Sequence, residues 1–166
     1  KRQYTIRRAR KTLANVTQRI DGEGDLEWII EHWRRQWLDD ESAEVVAAPD
    51  RANFWPALMA ARDRAALKIH SLQLLQNGRR MAGLVLTSMD EVAMIQCGGA
   101  DLAFDDAYAR AAVLIAAIEW AKREGFEILD IAGGPAKRYW GPVGGRRYGG
   151  LFRGPLLGAF AGIMSQ

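Results

Sequence analysis

The residues best suited to chemistry lie toward the carboxyl end. Lys137-Arg138-Tyr139-Trp140 is followed by Arg146-Arg147-Tyr148 and then Phe152-Arg153. Cations interleaved with aromatic rings suit an anionic ligand, and a solvated basic tail is the plainer alternative. The net charge of +3 conceals an uneven distribution. Residues 1–11 hold six Lys or Arg and no acid, and residues 131–166 hold five and none. The stretch between them carries 12 basic and 20 acidic residues, a net of −8. The amino-terminal cluster reads as a solvated basic segment. His32 and His70 are the only histidines, and they lack metal-ligand spacing. Both read as packed or surface residues. Cys97 is the single cysteine, which excludes an internal disulfide framework and a cysteine-rich zinc site. It has no activating neighbour in sequence and reads as a small buried residue. Gly133-Gly134 lacks the dinucleotide-binding pattern. No glycine-rich loop ends in Gly-Lys-Ser or Gly-Lys-Thr.

The elements that must position these residues follow from periodicity. At 166 residues, about half of them apolar, the chain can bury one real core. Residues 1–16 favour helix, with a dense basic face and a thin stripe of Ile6, Leu13 and Val16. Asp21–Asp25 is a turn. Asp25 is expected to cap a helix running to about Trp37, with Trp28, Ile29, His32, Trp33, Gln36 and Trp37 near one side. Those tryptophans are expected in the core, the alternative being a binding groove. Residues 39–50 read as a loop, and Asp50 as the cap of a helix over 51–66. Strands are expected at 67–75, 81–88 and 91–97. Asn77-Gly78 closes the first hairpin, because both residues tolerate positive φ, and Met89-Asp90 closes the second.

A helix then spans 107–124. Asp105 or Asp106 is its expected cap, and Tyr108, Ala111, Ala112, Ile115, Ile118 and Ala121 form its apolar face, widened by Val113, Leu114 and Trp120. Lys122 and Arg123 suit its carboxyl end, and Gly125 suits a left-handed stop. Phe126–Ile131 reads as a strand, broken by Gly133-Gly134-Pro135. Glycine recurs through 141–158, and an apolar segment from Leu156 to Met164 is expected to close the core. No apolar run reaches the ~20 residues of a spanning helix. The predicted class is α/β (α+β), a mixed and mainly antiparallel sheet flanked by helices, in a single domain over 1–166. A basic segment at 1–22 and a glycine-rich basic tail at 141–166 complete it.

The run IEWAKREGFEILDIAGG followed by AKRYWG resembles the end of the FemAB-like and CelD-like acyltransferase domain, a branch of the GNAT fold. Ile118-Glu119-Trp120-Ala121, Gly125, Asp130, Gly133 or Gly134, Lys137 and Trp140 occupy that family's positions. Ala136 stands where the family has an aromatic residue. The resemblance extends more loosely back to Arg7-Arg8-Ala9-Arg10. It implies transfer of an acyl or aminoacyl group to an amine, in cell-envelope or polysaccharide metabolism. It implies an acyl-CoA or aminoacyl-tRNA donor, no metal, a cytoplasmic or membrane-peripheral setting, and a second GNAT-like half in a longer protein.

By the same resemblance, Lys137 would stabilise charge at the transferred carbonyl; Tyr139 or Tyr148, neither of them aligned by the motif, would supply a proton. Asp130, Trp140, Arg146 and Arg147 would face the acceptor. The family's pyrophosphate loop corresponds to Gln96-Cys97-Gly98-Gly99-Ala100-Asp101, placing Gln96, Gly98, Gly99 and Ala100 at the cofactor. Asp101 breaks the final position, and Asp101, Asp105 and Asp106 add negative charge there. Weak binding of coenzyme A is therefore expected. Two other classes stay open: a GNAT-type binding module without a working cofactor site, and a nucleic-acid-binding domain resting on the basic ends. Strong salt dependence of nucleic-acid binding would favour the last.

Overall fold

The computed structural model describes residues 2–22, 24–38, 55, 58, 67–104 and 108–131. The order is α1 (Arg2–Leu13), β1 (Thr17–Ile20), α2 (Asp25–Leu38), β2 (Lys68–Gln76), β3 (Arg79–Met89), β4 (Val92–Ala100), α3 (Ala109–Arg123) and β5 (Ile128–Asp130). The five strands form one sheet in the order β1-β2-β3-β4-β5. The first four are antiparallel neighbours, and β5 lies parallel to β4. A parallel pair needs a crossover, and α3 supplies it.

Apolar alternation sends side chains to both faces of the sheet. Leu72, Leu74, Ala82, Leu84, Leu86, Ala93 and Ile95 join α3 residues Ala112, Val113, Ala116 and Trp120 in the larger core, which α1 reaches through Ala9. Ile29 of α2 packs with Val85, Cys97, Trp55 and Leu58 in the second core. The sheet is thus covered by α1 and α3 on one face and by α2 on the other. Val85 pairs with Cys97 while Leu86 pairs with Ile95, so Gln96 is an extra residue on β4. A bulge shifts the alternation by one. Ala93 and Ile95 point to the α3 side, whereas Cys97 points to the α2 side.

The first hairpin turns as expected, with φ of 52° at Asn77 and 76° at Gly78. Gly125 takes φ of 82° after α3, again as expected. Several expectations are corrected. β1 occupies Thr17–Ile20, between the expected helix and the expected turn, where no element was expected. Asp25 lies within α2, and its carboxylate binds two arginines instead of capping. The third meander strand runs to Ala100, so Gln96–Ala100 is strand and not loop. The N-cap position of α3 is Tyr108, which makes no side-chain capping hydrogen bond, and the expected caps Asp105 and Asp106 lie outside the described residues. Ile118 is exposed, not buried. The expected loop at 39–50 lies outside the described residues, as does most of the expected helix at 51–66. So does everything from 132 onward.

Candidate functional site

β4 is the element around which a site can form. On one edge it pairs with β3 along its length, and on the other it pairs with β5 only at Val92, Ala93 and Met94. Beyond Met94 that second edge carries no strand among the described residues. The bulge at Gln96 lies at the start of this open edge. Gln96 donates its side-chain amide to the Thr87 hydroxyl at 2.7 Å. Gly98 and Gly99 are glycines for packing reasons. A Cβ on Gly99 would lie 2.6 Å from the Ile29 carbonyl oxygen, because α2 crosses directly over it. A Cβ on Gly98 would lie 2.6 Å from Leu84 Cδ2. Their α-carbons therefore face helix and core, and only their backbone edge is free to meet a ligand.

After β4 the chain turns sharply. Asp101 accepts from the Ala103 N–H at 2.9 Å and from Arg79 at 2.8 Å. The Ala103 N–H, with Arg79 beside it, holds the Asp101 carboxyl below the usual carboxylate range. The Arg79 guanidinium also lies 4.7 Å from the Phe104 ring centroid. The charge that the sequence sets against a phosphate is thus neutralised by a neighbour. At the head of α3 the Tyr108 side chain makes no capping hydrogen bond, and residues 105–107 before it lie outside the described residues. A strand edge that pairs with no strand beyond Met94 among the described residues, leading into a helix start, suits an extended thioester cofactor with a phosphate end.

Burial sets the role of Cys97. It is 4% exposed, and desolvation pushes its thiol well above the ordinary value. Native protein should react with a thiol reagent at least about 100-fold more slowly than unfolded protein, since reaction requires opening of the core. Stoichiometric labelling of the native chain within minutes would contradict this.

Both histidines are engaged. His70 Nε2 lies 3.0 Å from Ser88 Oγ, and its Nδ1 lies 3.2 Å from Asp21 Oδ2. The order Asp-His-Ser resembles a hydrolytic relay, but such a serine must meet its substrate. Ser88 is 4% exposed, and the Trp120 ring packs 5.1 Å from the imidazole. These groups clamp the β1–α2 turn to β2, β3 and α3. His32 stacks on Trp28 at 3.8 Å and contacts its carbonyl oxygen at 2.8 Å. Trp33 packs edge-on against Trp55. Trp28 and Trp33 both pack against the second core, and Trp28 also lines an open cleft.

That cleft escaped the sequence reading. Asp25 is fully buried, and its carboxylate accepts from Arg19 Nε at 2.8 Å and Arg80 Nε at 2.9 Å. Arg19 Nη2 also binds Asp25 Oδ1. The hydrogen bond that Arg19 donates to the Asp25 carboxylate raises the Arg19 pKa above its ordinary value. Both guanidiniums remain about a third exposed, at 38% and 32%. With Trp28, Gly78, Arg79 and Asp101 they line a cleft of about 360 Å³. Only the contrast between one buried acid and several nearby arginines hints at it in sequence.

Of the other expected site residues, Asp130 ends β5, half-buried and paired in register with Met94. Lys137, Tyr139, Trp140, Arg146, Arg147 and Tyr148 lie outside the described residues. Among the described residues, no group of His, Cys, Asp and Glu could hold a metal ion, and no helix is long and apolar enough to cross a membrane.

Three meander strands, a crossover helix and a parallel fifth strand, with β4 bulged and half open, define an α/β fold of GNAT type. A family model described as "Acetyltransferase (GNAT) domain" matches residues 1–140, and the chain belongs to that family. It is by class an N-acyltransferase. Among solved structures, the chain is similar to the aminoglycoside acetyltransferase meta-AAC0020 from an uncultured soil metagenomic sample. That likeness has a TM-score of 0.52 at 12% identity, over 85% of this chain and 97% of that one, for both its sisomicin complex and its trehalose complex. The PaiA N-acetyltransferase from Thermoplasma acidophilum, solved with coenzyme A, gives a TM-score of 0.44 at 14% identity, over 66% and 75% of the two chains. At such identities the likeness is one of fold. No curated protein matches the sequence.

Proposed function

We propose that this domain transfers an acyl group from a coenzyme A thioester to the amine of a small acceptor. The observation that carries this reading is the edge of β4 beyond Met94, bulged at Gln96, which pairs with no strand among the described residues and leads into α3. The thioester supplies an activated acyl group when bound. Backbone groups of Gln96, Gly98, Gly99 and Ala100 would hold the donor's extended arm, as an added strand is held. The first amides of α3 would face its phosphates.

Lys137 would stabilise the negative charge that grows on the transferred carbonyl oxygen, and Tyr139 or Tyr148 would hold the proton needed by the leaving sulfur. Asp130, Trp140, Arg146 and Arg147 would bound the acceptor. The FemAB-like and CelD-like pattern at 118–140 supports an acceptor from cell-envelope or polysaccharide metabolism. It also supports a cytoplasmic or membrane-peripheral setting and a second half of the same type. Aminoacyl-tRNA is the alternative donor in that pattern.

Calorimetry with acetyl-CoA, paired with a coupled assay for released thiol over a panel of amines, tests the reading. Binding weaker than about 1 µM, together with amine-dependent thiol release, is expected. Absence of both binding and release would overturn thioester transfer. Transfer from aminoacyl-tRNA instead would change the donor.

A further inference from the structure

We propose that the apolar row of Met89, Val92 and Ile128 is a subsite for the acceptor, so that the amine acylated by this domain carries an uncharged alkyl or aryl body. The inference rests on the acyl-transfer reading for the word acceptor, whereas the apolar subsite stands on the geometry of the sheet.

Register brings the three side chains together. Met89 of β3 pairs with Val92 of β4, and Val92 pairs with Ile128 of β5. Residues opposite one another on neighbouring strands share a face. Ala93 and Leu129, the next residues along, pack into the larger core on the α3 side. Val92 and Ile128 therefore point to the α2 side. α2 covers that face at Val85, Cys97 and Gly99. Toward the β3–β4 turn the same face is open: Met89 is 53% exposed, Val92 39% and Ile128 54%. The other large apolar side chains exposed among the described residues stand apart, Tyr4 on α1, Leu102 after β4 and Ile118 on α3. Single exposed apolar residues are ordinary, whereas a contiguous row marks a surface that meets a ligand or partner.

The position fits an acceptor. Three neighbouring strands span roughly 10 Å, enough for a ring or a chain to lie across them. β4 and β5 part after Met94 and Asp130, two residues beyond Val92 and Ile128, or roughly 7 Å along the strands. The proposed donor edge begins at that parting point. Met94 lies half-buried on the same face, between the row and the Gln96 bulge. An amine at the parting point would lay its body over Met94 and onto the row. Asp90, Glu91 and Glu127 are exposed beside the row. Carboxylates there draw in an alkylammonium and oppose a fatty acid or other anion.

The test measures thiol release from acetyl-CoA with ethylamine, butylamine and hexylamine, and donor-free calorimetry with hexylamine and hexanoate. One open wall gives about two-fold in kcat/KM for each methylene, half the effect of complete burial on a logarithmic scale. Hexylamine should therefore exceed ethylamine by about ten-fold or more. The double variant Val92→Thr, Ile128→Thr should reduce that ratio to about three-fold or less. Both sites are exposed and threonine keeps the β-branched shape, so its melting temperature should barely move. Ile118→Gln, a comparable loss of exposed apolar surface on α3, should keep the full ratio. In calorimetry, hexylamine should bind more tightly than hexanoate. Equal rates along the amine series would overturn the proposal, as would an unchanged ratio in the folded double variant. A preference for hexanoyl-CoA over acetyl-CoA that the double variant loses would overturn it by assigning the row to the donor. Self-association that the double variant abolishes would overturn it by assigning the row to a second copy of the chain. Length-dependent binding of alkylamines without any acyl transfer would support the apolar subsite and count against the transferase reading instead.

Discussion

Asp25→Ala should destabilise the fold by about 3 kcal/mol, measured as a shift in the urea midpoint at constant slope. Asp25 is fully buried and accepts from Arg19 and Arg80. Removing it leaves two cations facing one another with nothing between them, together with a void under the head of α2. Loss of one member of a buried ion pair costs about 3–5 kcal/mol. The lower end applies because both guanidiniums are about a third exposed and keep access to water. The melting temperature should fall by roughly 10 °C for a domain of this size.

A second variant separates charge from packing. Replacing Arg19, Asp25 and Arg80 together by Met, Leu and Met removes the charges and retains volume. Such exchanges are often neutral for stability, so this variant should recover most of the loss. A loss below about 1 kcal/mol for Asp25→Ala would mean that the triad contributes little, and that the arginines relax into solvent without penalty.

Lys137→Ala should lower the rate of acyl transfer by about 10²-fold or more, the usual cost of removing a donor to a developing oxyanion. The proposal rests on the match of Lys137 to the family's lysine, seven residues past the end of β5. A cation at that point acts on charge that exists in the transition state and hardly at all in the bound substrate, so the loss belongs in turnover and not in KM. The melting temperature should barely move. The opposite pattern, unchanged turnover with a lower melting temperature, would make Lys137 a structural residue, paired with Asp130 or another carboxylate. Its neighbour Ala136, which departs from the family pattern, makes this the more informative of the two experiments.

Some features could be read from sequence because they are decided within a few residues. Asn77-Gly78 and Gly125 take positive φ, a matter of local sterics, and each lies where the chain must reverse or stop. α3 follows from its apolar spacing, and the meander from three apolar runs between turns. Burial of Cys97 follows from its place in such a run. The motif at 118–140 pointed to a branch of the GNAT fold, and membership of the GNAT acetyltransferase family is shown.

Other features depend on groups far apart in the chain, and tertiary structure decided them. Asp25 has the local look of a helix cap, yet its partners lie 6 and 55 residues away. Thr17–Ile20 has no strand pattern of its own and becomes β1 by pairing with β2 at the sheet edge. Gly98 and Gly99 suggest a loop by composition, but α2 crossing over Gly99 demands a residue without Cβ, and the strand continues through it. Asp101 appears as an unopposed charge until Arg79, on the neighbouring strand, is brought to it. A local pattern settles backbone shape at short range. Which charges meet is settled only when the strands and helices pack.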